Sequence, residues 1–179
     1  MYISILRGIN VSGQKKVPMA DLRKVYESLG LQDVSTYIQS GNVIFSGGAR
    51  DETKLVTSIE KAIEKKFGFH VPVMLRTDEQ WKHIIAGNPF LSEEGVDETR
   101  LYVTILDEEP SADLVRQISE KDFGADRFVV KGKEVYIYCP VGYGNTKINN
   151  NFFEKKLKVG ATTRNWKTMN TLAGLVSGL

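Results

Sequence analysis

The segment Leu101–Leu106 (LYVTIL) repeats the pattern of an earlier one, Tyr2–Leu6 (YISIL), and this repetition decides the predicted fold. Each segment is a short apolar run with β-branched residues, which predicts a buried strand. The next element repeats as well, because residues 112–114 (ADL) open a helical pattern as residues 20–22 (ADL) do. Such self-similarity indicates two copies of one structural unit.

Both halves of the chain share one predicted order of elements: strand, helix, two strands, helix, strand and a further helix. In the first half we predict strands over residues 2–7, 34–39, 43–45 and 71–75, and helices over 18–30, 51–68 and 78–87. In the second half we predict strands over 101–106, 128–131, 134–138 and 161–163, and helices from 112 onward and over 152–157 and 166–176. Short turns at residues 40–42 (SGN) and 132–133 (GK) indicate tight hairpins.

This order predicts an α+β fold made of two tandem ferredoxin-like (βαββαβ) units. Each unit is expected to be an antiparallel sheet with helices on one face, followed by an extra helix. We predict a first unit with its trailing helix over residues 1–87, a connection over 88–99, and a second unit with its C-terminal helix over 100–179. We also expect the first and third strands of a unit to be parallel neighbours, so that the loops leaving them lie at one edge.

Composition places the chain among ordinary globular proteins. Apolar residues make up 41% and charged residues 26%, which excludes disordered and fibrous classes. The net charge of +2 is too small to require a nucleic-acid partner. The charges are uneven, however: residues 93–126 hold eleven acidic against three basic side chains, and residues 127–167 hold nine basic against two acidic ones. This pattern indicates either solvated helix surfaces or one acidic and one basic face.

The sequence also argues against several sites and locations. One cysteine, Cys139, excludes an internal disulfide, fits a reducing compartment, and is expected to be a half-buried, unreactive thiol. No signal-peptide pattern and no apolar run of about 20 residues is present, so we expect a cytoplasmic protein without a membrane partner. His70 and His83 have no zinc-site spacing, and we predict neither a metal nor a cofactor.

Four polar loops are candidates for function. Residues 7–16 (RGINVSGQKK) combine two glycines and three cations just before a helix start, which is the usual composition of an anion pocket. Residues 39–42 (QSGN) form a hairpin tip, for which turn geometry alone is a sufficient explanation. Residues 140–147 (PVGYGNTK) resemble a phosphate-binding loop but lack the Walker A spacing. Residues 162–166 (TTRNW) contain a candidate helix cap, a core tryptophan and an arginine suited to carboxylate or phosphate.

Several blocks of this sequence are similar to a known protein family. They are residues 6–23 (LRGINVSGQKKVPMADLR), 36–47 (TYIQSGNVIFSG), 88–90 (NPF), 142–147 and 161–166 (ATTRNW). Together they resemble the bacterial family called domain of unknown function 1697, over nearly the whole chain. The resemblance implies a duplicated ferredoxin-like fold and no activity. Ser12 departs from the family, which commonly has a glycine at this point.

The resemblance strengthens the functional reading of the hairpin tip, because family blocks coincide with the candidate loops. The ligand-binding residues that we predict are Arg7, Gly8, Asn10, Lys16, Gln39, Ser40, Asn42, Gly142, Gly144, Lys147, Arg164, Asn165 and Trp166; Gly41 belongs to the same family blocks.

Three functions are compatible with these features. We favour binding of, or a reaction on, a small anionic ligand such as a nucleotide or phosphorylated metabolite, because the loop cations lie beside glycines or helix starts. The second is single-stranded nucleic-acid binding, with Tyr136 and Tyr138 stacking bases on a sheet, although the aromatic pattern of RNA-binding sheets is absent. The third is a protein-interaction module that uses the acidic segment. No nucleophile or general base stands out, so enzymatic activity and oligomeric state stay open.

Overall fold

The computed structural model describes residues 1–48 and 51–178 and has two four-stranded antiparallel sheets and six α-helices. It divides into two compact units, one formed by Met1–Trp81 with Gly174–Leu179 and the other by Lys82–Ala173. The α+β class and the two-unit organisation predicted from the repeat are therefore confirmed. The predicted domain ranges include residues 49, 50 and 179, which lie outside the described residues.

The observed elements follow the predicted order. The strands are β1 Tyr2–Leu6, β2 Gln32–Tyr37, β3 Asn42–Ser46, β4 Val73–Thr77, β5 Leu101–Leu106, β6 Arg127–Lys131, β7 Glu134–Tyr138 and β8 Ala161–Asn165. The helices are α1 Met19–Ser28, α2 Glu52–Phe67, α3 Asp78–Ala86, α4 Ala112–Ser119, α5 Asn150–Leu157 and α6 Trp166–Ser177.

The two sheets have equivalent strand orders, β2-β3-β1-β4 and β6-β7-β5-β8. The expectation that the first and third strands are parallel is wrong, since β1 pairs with β3, and β5 with β7, in antiparallel registers. The physical reason is the hairpin: β3 reverses the direction of β2, which runs the same way as β1. The loop that follows β1 therefore lies beside the β2–β3 hairpin turn, and not beside the loop that follows β3.

In the first unit, α1 and α2 pack their apolar stripes on one face of the sheet. Alternate residues of the strands, such as Leu6, Phe45 and Leu75, meet Leu22 and Ile59 of the helices in one buried cluster. Apolar residues at helical spacing on the helices and at every second position on the strands produce this layer. One polar pair interrupts it, where the Ser4 and Tyr26 hydroxyls lie 2.7 Å apart and are fully buried.

The second unit has its own core of the same kind. Leu106, Ile137 and Ile118 pack with Phe153 and Leu157 of α5 in a separate cluster. Aromatic rings enlarge this core, because Phe123 meets Phe152 edge to face at 5.2 Å and Phe128 meets Phe153 at 5.4 Å. These contacts extend the core to the β6 edge of the sheet.

Sequence-encoded caps set several helix boundaries. Asp51 accepts a hydrogen bond from the backbone amide of Lys54 at the start of α2, and Gly68 ends that helix in the left-handed conformation at φ 82°. At the start of α6, the Asn165 side chain accepts from the Thr168 amide at 2.8 Å. The helix-cap reading of Asn165 is therefore confirmed.

Candidate functional site

The β1–α1 loop and the β2–β3 hairpin tip meet at one edge of the first sheet. The backbone amide of Leu6, at the end of β1, donates to the Gly41 carbonyl at 2.8 Å, and the Arg7 amide donates to the Pro72 carbonyl at 3.0 Å. We call the surface formed by residues 7–16 and 38–42 the Asn10 surface. The antiparallel pairing of β1 with β3 brings these two candidate loops together.

Asn10 is the residue that joins the two loops. Its side-chain nitrogen donates to the Gln39 carbonyl at 2.7 Å and to the Val17 carbonyl at 2.9 Å, and its side-chain oxygen accepts from the Val17 amide at 2.8 Å. An asparagine side chain is suited to this role because it offers donors and an acceptor on one short planar group. It therefore fixes the start of α1 and the hairpin tip at once.

Uncommon backbone conformations are concentrated on the Asn10 surface. Six described residues other than glycine have positive φ, and four of them lie here: Asn10, Ser12, Lys15 and Ile38. Ile38, at φ 51°, is the most unfavourable of them because its side chain is β-branched. Left-handed conformations of this kind cost on the order of 1–3 kcal/mol each and persist only where surrounding contacts hold them.

Within the β1–α1 loop the chain forms a small hairpin of its own. The Gln14 amide donates to the Val11 carbonyl at 2.9 Å, and the Asn10 amide donates to the Lys15 carbonyl at 3.1 Å. The two turn residues, Ser12 and Gly13, have φ values of 51° and 74°, which is the pattern of a type I′ turn. Ser12 thus occupies a left-handed position that a glycine would adopt without strain.

The cations of this surface have different surroundings. The Lys15 ammonium donates to the His70 carbonyl at 2.9 Å and lies 5.9 Å from the centre of the Phe69 ring, so it anchors the loop. Lys16 and Gly8 are exposed, and Arg7 is half-buried. Residues 7–16 and 38–42 together hold three cations and no carboxylate.

The hairpin tip divides into an exposed and a structural part. Gln39 is exposed and Ser40 is half-buried, whereas Asn42 is buried and its side-chain nitrogen donates to the Tyr37 carbonyl at 2.9 Å and the Ser40 hydroxyl at 3.1 Å. Gly41 allows the close approach of the two loops, since a Cβ atom there would lie 2.7 Å from Ile9 Cδ1. Turn geometry thus explains Gly41 and Asn42, and Gln39 and Ser40 supply the accessible polar groups.

In the second unit, the loop over residues 140–147 contacts the middle of β8 at Thr163. The Tyr143 hydroxyl donates to the Thr163 hydroxyl at 3.0 Å, and Thr163 lies 2.7 Å from the Thr104 hydroxyl and donates to the Asn150 side chain. The Tyr143 ring also packs on Tyr102, with 4.7 Å between ring centres. The third and fourth candidate loops are therefore joined by a hydroxyl network that the sequence analysis did not identify.

The loop over residues 140–147, which we call the glycine loop, has a threonine hydroxyl that is already hydrogen-bonded to a carboxylate. Thr146 donates to Asp126 at 2.6 Å and accepts from the Ile148 amide at 3.2 Å, and both of these bonds hold the loop against the unit. Gly142 has φ 103°, and Gly144 and Lys147 are exposed. An anion approaching Thr146 would meet the Asp126 carboxylate, which is an unfavourable charge for phosphate binding.

Cys139, next to this loop, is fully buried. Burial is the main cause that raises the pKa of its thiol to about 11; the Thr146 hydroxyl opposes this shift and the nearby Asp126 carboxylate adds to it. Because thiolate is the reactive form, the prediction of an unreactive thiol is supported, although the side chain is buried rather than half-buried.

Arg164 and Trp166 both point away from solvent. Arg164 as a residue is 8% exposed, and its guanidinium donates to the Thr162 hydroxyl at 2.9 Å and the Thr163 carbonyl at 3.0 Å. Burial lowers its pKa to about 10. Trp166 is buried, which confirms its reading as a core residue, and Asn165 is exposed. Arg164 remains a cation at neutral pH in spite of its burial.

The sequence analysis missed an arginine at the equivalent position of the first unit. Arg76 pairs with Ile3 in the β1–β4 register as Arg164 pairs with Val103 in the β5–β8 register, and Arg76 is also buried. Comparing the fourth strands of the two units would have revealed it, because Arg76 and Arg164 both come just before a helix.

The tyrosines proposed for base stacking are not arranged for it. Tyr136 is buried, and its hydroxyl donates to the Ile84 carbonyl at 3.0 Å. Tyr138 is half-buried and packs with Phe90, while the Arg127 guanidinium lies 5.4 Å from its ring centre. The face of the second sheet that carries these tyrosines is therefore not an open stacking surface.

The described part of the chain offers neither a metal-binding cluster nor a membrane-spanning helix. Residues 1–48 and 51–178 contain no group of three or more His, Cys, Asp or Glu side chains arranged to hold a metal ion. Among the same residues, no helix is both long and apolar enough to cross a membrane.

Comparison with known proteins gives a family and a fold. The model of the family DUF1697, described as a protein of unknown function, matches residues 1–136. A solved structure of the conserved bacterial protein SP0830 from Streptococcus pneumoniae superposes with a TM-score of 0.75 at 24% identity, covering 97% of this chain and 96% of that one. No curated protein matches.

Proposed function

This chain belongs to the family DUF1697, whose description assigns no activity, and from that premise we propose that it binds a small anionic ligand, such as a nucleotide or a phosphorylated metabolite, at the Asn10 surface. The observation that carries the proposal is the concentration of left-handed backbone at Asn10, Ser12, Lys15 and Ile38 in two loops that Asn10 ties together. Strain of this kind clusters at ligand sites, where it fixes a binding geometry in advance.

The charge of the surface supports an anion rather than a cation. It carries Arg7, Lys15 and Lys16 without a carboxylate, and Lys16 is exposed while Lys15 is used to anchor the loop. Backbone amides exposed in turns can add to the attraction for negative ligands. Gly8 has no side chain to obstruct a ligand, and Gln39 and Ser40 supply polar groups that a ligand can contact.

The predicted ligand residues of the second unit have weaker support. Gly142, Gly144 and Lys147 lie in a loop whose threonine is bonded to Asp126, and Arg164, Asn165 and Trp166 have the structural contacts described above. We keep them as predictions of a second anion-binding region, and the experiment below separates the two regions.

The proposal is tested by a thermal-shift screen of nucleotides, sugar phosphates and short oligonucleotides. A ligand at a hundredfold excess over its Kd should add about 2.7 kcal/mol to the free energy of unfolding, which is several degrees in Tm. We expect Lys16→Ala to lose most of this response and Lys147→Ala to keep it, with Lys54→Ala as a matched control for an exposed lysine elsewhere. The proposal is wrong if no ligand stabilises the protein, or if Lys147→Ala loses the response and Lys16→Ala retains it.

We further propose that each unit is ferredoxin-like and that the chain contains an internal duplication. Equivalent contacts support this: the Leu6 amide donates to the Gly41 carbonyl as the Leu106 amide donates to the Lys133 carbonyl. The Val73 amide likewise donates to Glu60 at 2.9 Å as the Ala161 amide donates to Glu154 at 3.1 Å. We place the repeats at residues 1–87 and 100–179 with a connection over 88–99. We also propose a bacterial protein in the cytoplasm, a reducing compartment that the single cysteine favours.

A further inference from the structure

Helices α1 and α2 enclose a groove on the surface of the first unit. Val25, Leu29 and Ala62 form its apolar part, and its volume is about 700 Å³. Val25 is buried in the floor, whereas Leu29 keeps 36% of its surface exposed. Its lining residues extend from Asp21 to Leu29 on the α1 side and from Ser58 to Lys66 on the α2 side, a length of about 12 Å along each helix.

Lysines surround this apolar floor. Lys24 lies on the α1 side, Lys61, Lys65 and Lys66 lie on the α2 side, and Asp21 is the one carboxylate among the lining residues. Lys24 is 4.0 Å from Asp21 and largely exposed. Within residues 1–48 and 51–178, the three α2 lysines have no acidic side chain within ion-pair distance. The groove therefore carries an excess of positive charge that the unit itself does not neutralise.

We propose that this groove is the docking site for an acidic amphipathic helix of a partner protein. The apolar floor suits leucine-like side chains at helical spacing, and the lysine rim suits glutamate or aspartate on the flanks of the same helix. Complementary charge of this kind orients a partner and excludes basic ones. The proposal uses residues apart from the Asn10 surface and is independent of the anion-binding proposal.

The floor distinguishes a peptide from other anionic partners. A nucleic-acid backbone or a polyphosphate has no apolar group to place on Val25 and Leu29. Its charged phosphates would lose water against this apolar surface without a compensating contact. Apolar floor and lysine rim together therefore favour a protein segment.

The test measures binding of a fluorescent 14-residue helical probe with leucine on one face and glutamate on the other. Lys61→Glu/Lys65→Glu should weaken binding about tenfold or more, since two attractive rim charges become repulsive. Leu29→Gln, which removes the exposed apolar contact, should also weaken it several-fold. The matched control is Lys155→Glu/Lys156→Glu, which reverses two exposed lysines near the end of α5 and should leave binding unchanged. Circular dichroism of each variant confirms that it is folded.

Several outcomes would overturn the inference. The first is absence of saturable binding of the probe to the unaltered protein up to about 1 mM. The second is an unchanged affinity in Leu29→Gln, which would show that the lysines attract any polyanion without a docking groove. The third is that single-stranded DNA, inorganic polyphosphate or phosphatidylserine vesicles bind more tightly than the probe and lose affinity in the same double variant. Saturable binding that both groove variants weaken and the α5 control retains is the supporting result.

Discussion

The side-chain nitrogen of Asn10 lies 2.7 Å from the carbonyl oxygen of Gln39, and this hydrogen bond joins two loops that are 29 residues apart in the sequence. The same side chain bonds both the amide and the carbonyl of Val17. Position 10 therefore requires a donor, an acceptor and a left-handed backbone together, and asparagine is among the few residues that tolerate that conformation.

We expect Asn10→Gly to lower the free energy of unfolding by about 2 kcal/mol. The substitution removes three side-chain hydrogen bonds, each contributing about 1 kcal/mol to stability. Glycine adopts φ 54° without strain, so relief of backbone strain offsets part of that loss. Urea titration measures the change. The control is Asn170→Ala, which removes one side-chain hydrogen bond to the Trp166 carbonyl without placing a glycine in a helix. It should cost about 1 kcal/mol or less. A loss below about 0.5 kcal/mol for Asn10→Gly would show that the loops are held by other contacts.

Gly41→Ala should be more destabilising than Gly68→Ala. Both glycines have φ near 80°, so each substitution costs about 1 kcal/mol in backbone strain. At position 41 the new Cβ would also lie 2.7 Å from Ile9 Cδ1 and 2.8 Å from Leu6 Cβ, whereas position 68 opens to space. Crowding adds about 1–3 kcal/mol for Gly41→Ala, which thermal unfolding of the two variants can resolve. Equal effects would mean that the two loops separate at no cost.

The buried hydroxyl pair of Ser4 and Tyr26 should be energetically coupled. Tyr26→Phe removes one partner at 2.7 Å, and we expect a loss of about 1–2 kcal/mol, because the Ser4 hydroxyl keeps only a long contact of 3.5 Å to the Val43 carbonyl. Ser4→Ala should cost a similar amount. The double variant should cost less than the sum of the two single ones, and a double-mutant cycle in urea measures this difference. Strict additivity would show that the hydroxyls do not bond.

Alkaline pH should destabilise the protein through Cys139. Its pKa rises from 9.0 in the unfolded chain to about 11 in the folded one, so the folded state holds the proton more tightly. The stabilisation is fully present below pH 9 and is lost as the pH rises towards 11, by about 1 kcal/mol between pH 8 and pH 10. Cys139→Ala should reduce that slope, and urea titrations at the two pH values provide the comparison. The tyrosines act in the same direction but at higher pH, since burial raises the pKa of Tyr136 to about 12. A slope identical in the two proteins would contradict the assignment to Cys139.

The sequence predicts the order of elements well where local chemistry decides it. The apolar runs at β1 and β5 and the helix ends at Asp51 and Gly68 depend on residues close together in the chain. The relative direction of β1 and β3 was mistaken although the hairpin at residues 40–42 was predicted. That direction also depends on β2 running parallel to β1, which no local pattern records. The segments were thus predictable, whereas one pairing relationship required tertiary geometry.

The candidate site was also predictable only where residues close together in the chain define it. Glycine and cation content identified the β1–α1 loop, but the bond from Asn10 to Gln39 joins positions that no local pattern relates. The Thr146 hydrogen bond to Asp126 places a carboxylate beside the glycine loop, and it also joins residues that are distant in the sequence. Tyr136 and Tyr138 were candidate stacking residues only in the second of the three functions, and alternation along a strand does not reveal that Tyr136 is buried.

The division of the chain has a consequence for how the protein is made. The first compact unit includes the residues from Gly174 onward, and the two crossings between units fall inside α3 and α6 instead of in loops. During synthesis on the ribosome, the first unit therefore remains without part of its structure until almost all of the second has emerged. A fragment truncated after Trp81 would lack that segment, so expression of the separate halves should give less stable products than co-expression or the intact chain.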